Sequence, residues 1–122
     1  MPESEMAPPY VDVHVVDTTT GGVRILAVAG TIDMVSAPDV LKSIIAANDP
    51  AIDDIVVDLT KVDFLSSAGM TMLLDAQEAF ASKGFSVVAN ESILRPMRLV
   101  GVDGRLPLYE SVELALTDRR RA

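Results

Sequence analysis

The chain contains no cysteine and no tryptophan. Without cysteine there is no disulfide framework and no thiolate metal site, a composition that suits a reducing compartment. Aromatic residues make up only 4% of the chain, so its core must be aliphatic. His14 is the only histidine and lies beside Asp12 on an expected strand. A structural zinc site needs four N, S or O donors, and nothing around His14 suggests an activated nucleophile. No metal, no cofactor, no catalytic residue and hence no enzyme is expected. Basic residues are also scarce, with 10 Lys and Arg against 18 Asp and Glu, for a net charge of −8. A nucleic-acid binder would present a basic patch or stripe. The only dense basic cluster is Arg119-Arg120-Arg121, which reads as a solvated tail. No apolar run approaches the roughly 18 residues that span a bilayer. The first residues, Met1-Pro2-Glu3-Ser4-Glu5-Met6, lack the basic and apolar regions of a signal peptide. The expectation is a cytoplasmic protein with no direct nucleic-acid contact and no membrane insertion.

What is present is 122 residues, 49% of them hydrophobic, which suits one domain with an aliphatic core. Residues 1–9 hold three prolines and two glutamates and read as a flexible lead-in. Tyr10 to Val16 alternates apolar and polar residues as a half-buried strand does. Thr18 to Gly22 reads as a turn and Val23 to Ala29 as the second strand of a hairpin. Ser36 is a candidate helix cap with Pro38 in the first turn. Val40, Leu41, Ile44 and Ile45 follow at helical spacing, and Asn48-Asp49-Pro50 ends that helix. Ile55 to Leu59 is a continuous apolar run, as in a strand covered on both faces. A second helix is expected from Ser67 to Ser82, with Met70, Leu73, Leu74, Gln77, Phe80 and Ala81 inward and Lys83-Gly84 as its cap. Then come a strand at Phe85 to Ala89, a helix at Ser92 to Leu99 interrupted by Pro96, and a loop at Gly101 to Gly104. A short strand at Leu106 to Tyr109 and a helix starting at Ser111 complete the order. Alternating strands and helices after the hairpin imply parallel neighbours and right-handed crossovers.

The most informative stretch is Asp58-Leu59-Thr60-Lys61-Val62-Asp63-Phe64-Leu65-Ser66-Ser67-Ala68-Gly69-Met70, which reads as a strand end, a tight loop and a helix start. Helix starts carry unpaired N–H groups and partial positive charge. A serine there can cap the helix or carry a phosphate, and local physics leaves both roles open for Ser66 and Ser67. Leu65 stands where a nucleophile elbow would need glycine, and Gly101 to Gly104 lacks the lysine and hydroxyl of a phosphate loop. Any phosphoryl transfer would therefore make this chain the acceptor. Asp33, Asp58 and Asp63 could form a carboxylate set. They read more simply as carboxylates bonded to local N–H groups, with Asp33 retained for its place at a strand end.

Two segments together resemble the STAS domain family, and most closely its bacterial anti-sigma factor antagonists. Gly30-Thr31-Ile32-Asp33 is similar to the family's Gly-x-hydrophobic-Asp. Asp58 to Met70 resembles Asp-Leu-Ser-x-Val-x-Phe-hydrophobic-Asp-Ser-x-Gly-Leu, and Met97 to Val102 fits a later family pattern. The resemblance implies a STAS-like α/β fold over residues 10–117, followed by a basic tail at 118–122. That fold is a mixed sheet of four or five strands with an N-terminal hairpin and about four helices, mainly on one side.

It also implies a switch. The unphosphorylated antagonist binds an anti-sigma factor that is also a serine kinase, which frees a sigma factor. Phosphorylation of the serine before x-Gly, here Ser67, ends binding, and a phosphatase restores it. Asp33, Ser66, Ser67, Ala68, Gly69 and Met70 would form the partner surface, with Ser67 at or near the helix cap, Gly69 keeping it open and Asp33 adding charge. Ser66 departs from the family's aspartate and is the alternative acceptor. A STAS scaffold in a signalling or lipid-transport assembly, without phosphorylation, is the competing expectation. Weak homodimerisation is compatible with either.

Overall fold

Two glycines with positive φ, Gly21 at 55° and Gly22 at 80°, turn the chain between its first two strands. That conformation has no steric cost for glycine. The computed structural model describes residues 14–121. The expected lead-in at 1–9 and the strand start at Tyr10 to Val13 lie outside the described residues. The strands are β1 (His14–Thr20), β2 (Val23–Ile32), β3 (Asp54–Leu65), β4 (Gly84–Val88) and β5 (Leu108–Tyr109). The helices are α1 (Ala37–Ala46), α2 (Ser67–Ala79), α3 (Glu91–Leu99) and α4 (Val112–Arg121). The sheet order is β1-β2-β3-β4-β5; β1 pairs antiparallel with β2 and every later pair is parallel.

The main core lies between one sheet face and α1, α2 and α3. Leu26, Val28, Ile55, Val57 and Val87 meet Val40, Ile44, Leu73, Leu94 and Met97 there. A smaller cluster on the other face packs Val23, Val56 and Val88 against Ala115 of α4. Tyr109 donates a hydrogen bond to the Asp118 carboxylate, tying β5 to α4, and this pushes the Tyr109 hydroxyl up to about 12.

Several elements differ from the sequence expectation. β3 runs twelve residues instead of ending near Leu59. Its pairing with β2 shifts register twice, between Ala27 and Ala29 and between Gly30 and Thr31. At each shift β3 holds one residue more than β2, as a bulge does. Gly30 takes φ 108° at the second shift.

α2 ends at Ala79, and its buried face is Gly69, Met72, Leu73 and Ala76, followed by Phe80. Met70 and Leu74 are only partly buried and Ala81 is exposed, so the stripe is rotated from the expected one. The cause is Gly69, whose small size lets that face of the helix approach the sheet. Gly84 is the first residue of β4 rather than a left-handed cap, and a Cβ there would run into the Asp54 carboxylate. Lys83 Nζ donates to Asn48 Oδ1 at 2.7 Å and to the Asp49 carbonyl at 2.6 Å, away from the end of α2. Ile45 faces outward, α3 continues through Pro96, and Val102–Gly104 forms a 3-10 turn. β5 is shortened to two residues because Pro107 has no N–H to give. α4 carries the backbone through Arg121, so the expected tail residues 118–121 are helical.

Candidate functional site

All parallel strands end at the same edge of the sheet, where β2 leads into α1 and β3 into α2. Open sheets of this kind gather their sites there. One residue, Ser66, separates β3 from α2, and it is the N-cap, with φ −78° and ψ 172°. Its Oγ accepts a hydrogen bond from the Gly69 N–H at 3.2 Å. Its own N–H donates to the Ile32 carbonyl at 2.8 Å, and its carbonyl accepts from the Met70 N–H at 3.0 Å. Ser66 therefore does the capping work expected of Ser67, which stands one place later, at the first helical position.

Ser67 is exposed, and its hydroxyl has no hydrogen-bond partner among the described residues. No acidic residue lies in the first turn of α2. The positive end of the helix dipole beneath Ser67 is thus uncompensated by its own turn.

Gly69 is buried rather than open to a partner. A Cβ there would collide with Leu65 Cδ1 and lie 3.0 Å from Ile32 Cγ2. Its role is to seat the first turn of α2 on the ends of β2 and β3. Ala68 and Met70 are half-buried beside it.

The β2–α1 loop forms the other wall of the site. Asp33 directly follows Ile32, the partner of Ser66, so the two loops are adjacent. Asp33 Oδ1 accepts from the Val35 N–H at 2.9 Å and the Ser36 N–H at 3.0 Å. The Ser36 N–H is the main cause holding the Asp33 carboxyl below its usual range. This carboxylate shapes its own loop, where the sequence expectation had it adding charge beside Ser67. Ser36 is buried; its Oγ donates to the Thr31 carbonyl at 2.8 Å and accepts from the Asp33 N–H at 3.0 Å. It thus braces the loop and makes no side-chain cap on α1, contrary to expectation.

The braced loop pushes Met34 and Val35 into solvent, with exposures of 77% and 48%. The second β3 bulge turns Phe64 outward, 54% exposed. These three apolar side chains were missed in the sequence. The available signal was an apolar pair, Met34-Val35, inside a loop built by Asp33 and Ser36. An open groove of about 350 Å³ continues from Ala68 between α1 and α2, with Met34, Leu41, Met72 and Asp75 in its lining.

Of the other aspartates, Asp58 matches the simpler expectation of a bond to a local N–H, whereas Asp63 ties β3 to β2 through a hydroxyl. Asp58 Oδ1 accepts from the Thr60 N–H at 2.9 Å and Asp63 Oδ1 from Thr31 Oγ1 at 2.8 Å. No group of three or more metal-ligating side chains occurs among the described residues. No helix among them is long and apolar enough to cross a membrane.

Comparison with known proteins agrees with this architecture. The anti-sigma-F factor antagonist RsfB of Mycobacterium tuberculosis is 35% identical over 119 residues, covering 93% of each chain. An anti-sigma factor antagonist from Mycobacterium paratuberculosis superposes with a TM-score of 0.83 at 34% identity, covering 93% of this chain and 98% of that one. The antagonist SpoIIAA shares the fold, with a TM-score of 0.63 at 15% identity over 90% of this chain and 98% of its own. Residues 14–115 match the STAS domain, and the chain belongs to the STAS domain family.

Proposed function

We propose that this protein is an anti-sigma factor antagonist. In this reading it binds an anti-sigma factor that is also a serine kinase, releases a sigma factor, and is switched off by phosphorylation at Ser67. A phosphatase resets it, and the cycle runs in the cytoplasm. The likeness to two mycobacterial antagonists supports the class of partner. The observation that carries the choice of serine is the division of labour at the start of α2. Ser66 holds the Gly69 N–H as cap, while Ser67 is exposed and its hydroxyl is unengaged among the described residues.

The switch follows from charge at a docking surface. A phosphate adds about −1.5 to −2 charge at pH 7. The N-terminus of α2 can accommodate that charge, so the fold survives. A partner packed over Met34, Val35 and Phe64 would have to cover the dianion. Burying an uncompensated charge costs several kcal/mol, and about 1.4 kcal/mol is already tenfold in affinity. Asp33 contributes by holding the loop that presents Met34 and Val35.

Intact-mass analysis after incubation with the anti-sigma factor and ATP tests the assignment. One phosphate is expected on wild type and on Ser66→Ala, and none on Ser67→Ala. Uptake that persists in Ser67→Ala and vanishes in Ser66→Ala would move the switch to Ser66. No uptake by wild type would return the chain to the scaffold alternative.

A further inference from the structure

We propose that the groove between α1 and α2 seats a basic amphipathic helix of the anti-sigma factor, and that Asp75 selects this partner by pairing with a Lys or Arg on that helix. The inference rests on the function proposed above and adds the chemistry of the partner.

The groove starts at Ala68, next to Ser67, and runs to Asp75. At 1.5 Å per residue that stretch of α2 is about 11 Å, or two helical turns. Met34, Pro38 and Leu41 line the α1 side, Ala68 and Met72 the α2 side. Ile45 is 45% exposed and lies one helical turn beyond Leu41, prolonging the same apolar row. An open apolar trough between neighbouring helices fits a helix with apolar residues at i, i+3 and i+4. Methionine at both walls suits such a surface, because its flexible thioether adapts to the shape of the guest.

Charge fixes the rest. Among the described residues, Asp75 is the only charged one lining the groove. It is exposed and has no hydrogen bond or ion pair among the described residues. A carboxylate beside an apolar trough favours a cation at the matching place and disfavours an anion. The net charge of −8 adds a long-range pull toward a basic partner. The groove and Ser67 then have separate roles. The groove identifies the partner, and the serine at its mouth decides when docking occurs.

The test uses the purified anti-sigma factor of the same host and titration calorimetry at two salt concentrations. Asp75→Lys is expected to weaken binding at least about tenfold and Asp75→Asn by a few fold, with a smaller salt dependence than wild type. Thermal melts should match wild type, since Asp75 holds no partner among the described residues. The absence of cysteine allows a single photo-crosslinker at Thr71→Cys, with Asp103→Cys as the control. The Thr71 probe should capture a partner segment with a Lys or Arg between apolar residues at helical spacing. Reversing that residue's charge should restore binding to Asp75→Lys. If Ser67→Asp abolishes binding while Asp75→Lys leaves it unchanged, the groove proposal fails and the proposed function stands. Capture of an acidic segment, or equal capture by the Asp103 probe, also overturns the proposal. If wild type does not bind the anti-sigma factor at all, both readings fall.

Discussion

Alanine substitution of the two adjacent serines should separate a structural hydroxyl from a functional one. Ser66→Ala removes the bond from the Gly69 N–H to Ser66 Oγ, 3.2 Å long, and leaves both backbone bonds of residue 66 in place. Loss of a serine N-cap costs about 0.5–2 kcal/mol. Gly69 is buried, so its released N–H finds little water, which argues for a loss of about 1–2 kcal/mol. For a domain of this size each kcal/mol lowers Tm by roughly 4 °C or more, so a fall of about 4–8 °C is expected.

Ser67→Ala breaks no hydrogen bond among the described residues and puts a better helix former in the first turn. Its stability should lie within about 0.5 kcal/mol of wild type. Ser66→Asp keeps a good cap and adds charge at the positive helix end, for a gain of about 0.3–1 kcal/mol. Urea denaturation followed by far-UV circular dichroism measures all three, and m should be unchanged for each. If Ser67→Ala loses as much stability as Ser66→Ala, the cap assignment and the argument built on it are wrong.

Two further outcomes follow from neighbouring contacts. Gly69→Ala drives a Cβ into Leu65 and toward Ile32; overpacking of about 1–3 kcal/mol should outweigh the roughly 1 kcal/mol that alanine gains over glycine in a helix, so thermal melting should show net destabilisation. Asp33 has a lowered pKa in the folded protein, so its contribution to stability is full above the unfolded value of about 3.9 and is lost as pH falls through the folded value. Asp33→Asn should therefore flatten the fall of unfolding free energy below about pH 4; an unchanged acid limb would show that the Val35 and Ser36 N–H groups do not favour the ionised carboxylate.

The order of elements was legible because most of them carry a single clean period or a clear stop. Period two marks β2 through Leu26 and Val28, helical spacing marks α1 through Val40 and Ile44, and the Gly21-Gly22 turn marks the hairpin. The far half of β3 was hidden because its two bulges space the buried residues Leu59, Val62 and Leu65 three apart. That interval breaks the period of two by which a flat strand is read. The rotated face of α2 was hidden for a different reason. Hydrophobicity favours Met70 and Leu74, but the helix turns its smallest residue inward because close approach to Ile32 and Leu65 requires it. At the site, the two serines were visible but not their order of duty, because capping depends on which residue leaves the strand conformation last. Ser36 reads as a helix cap in one dimension. In three it is a buried brace for the loop that carries Met34 and Val35.

These details bear on how a single phosphate could act as a switch. The start of α2 is held by Ser66 N–H on Ile32, Gly69 N–H on Ser66 Oγ, Met70 N–H on the Ser66 carbonyl, and by Gly69 against Leu65. None of these involves the Ser67 side chain. A phosphate on Ser67 therefore breaks none of these contacts. Moving a partner from 99% bound to 1% bound takes about 10⁴ in affinity, or roughly 5.5 kcal/mol. With these contacts kept, that difference has to arise at the contact itself, from covering a dianion. Such a cost is available only if the partner seals the Ser67 surface against water. A rim contact open to solvent would cost about 1 kcal/mol or less and could not switch anything. Close cover of Ser67 by the partner is thus a physical requirement of the proposed mechanism, and exposed Met34, Val35 and Phe64 are apolar side chains on which such a partner could seat. In that proposal the bulge that exposes Phe64 and the Ser36 brace that exposes Met34 and Val35 supply the apolar surface, and the serine supplies the charge.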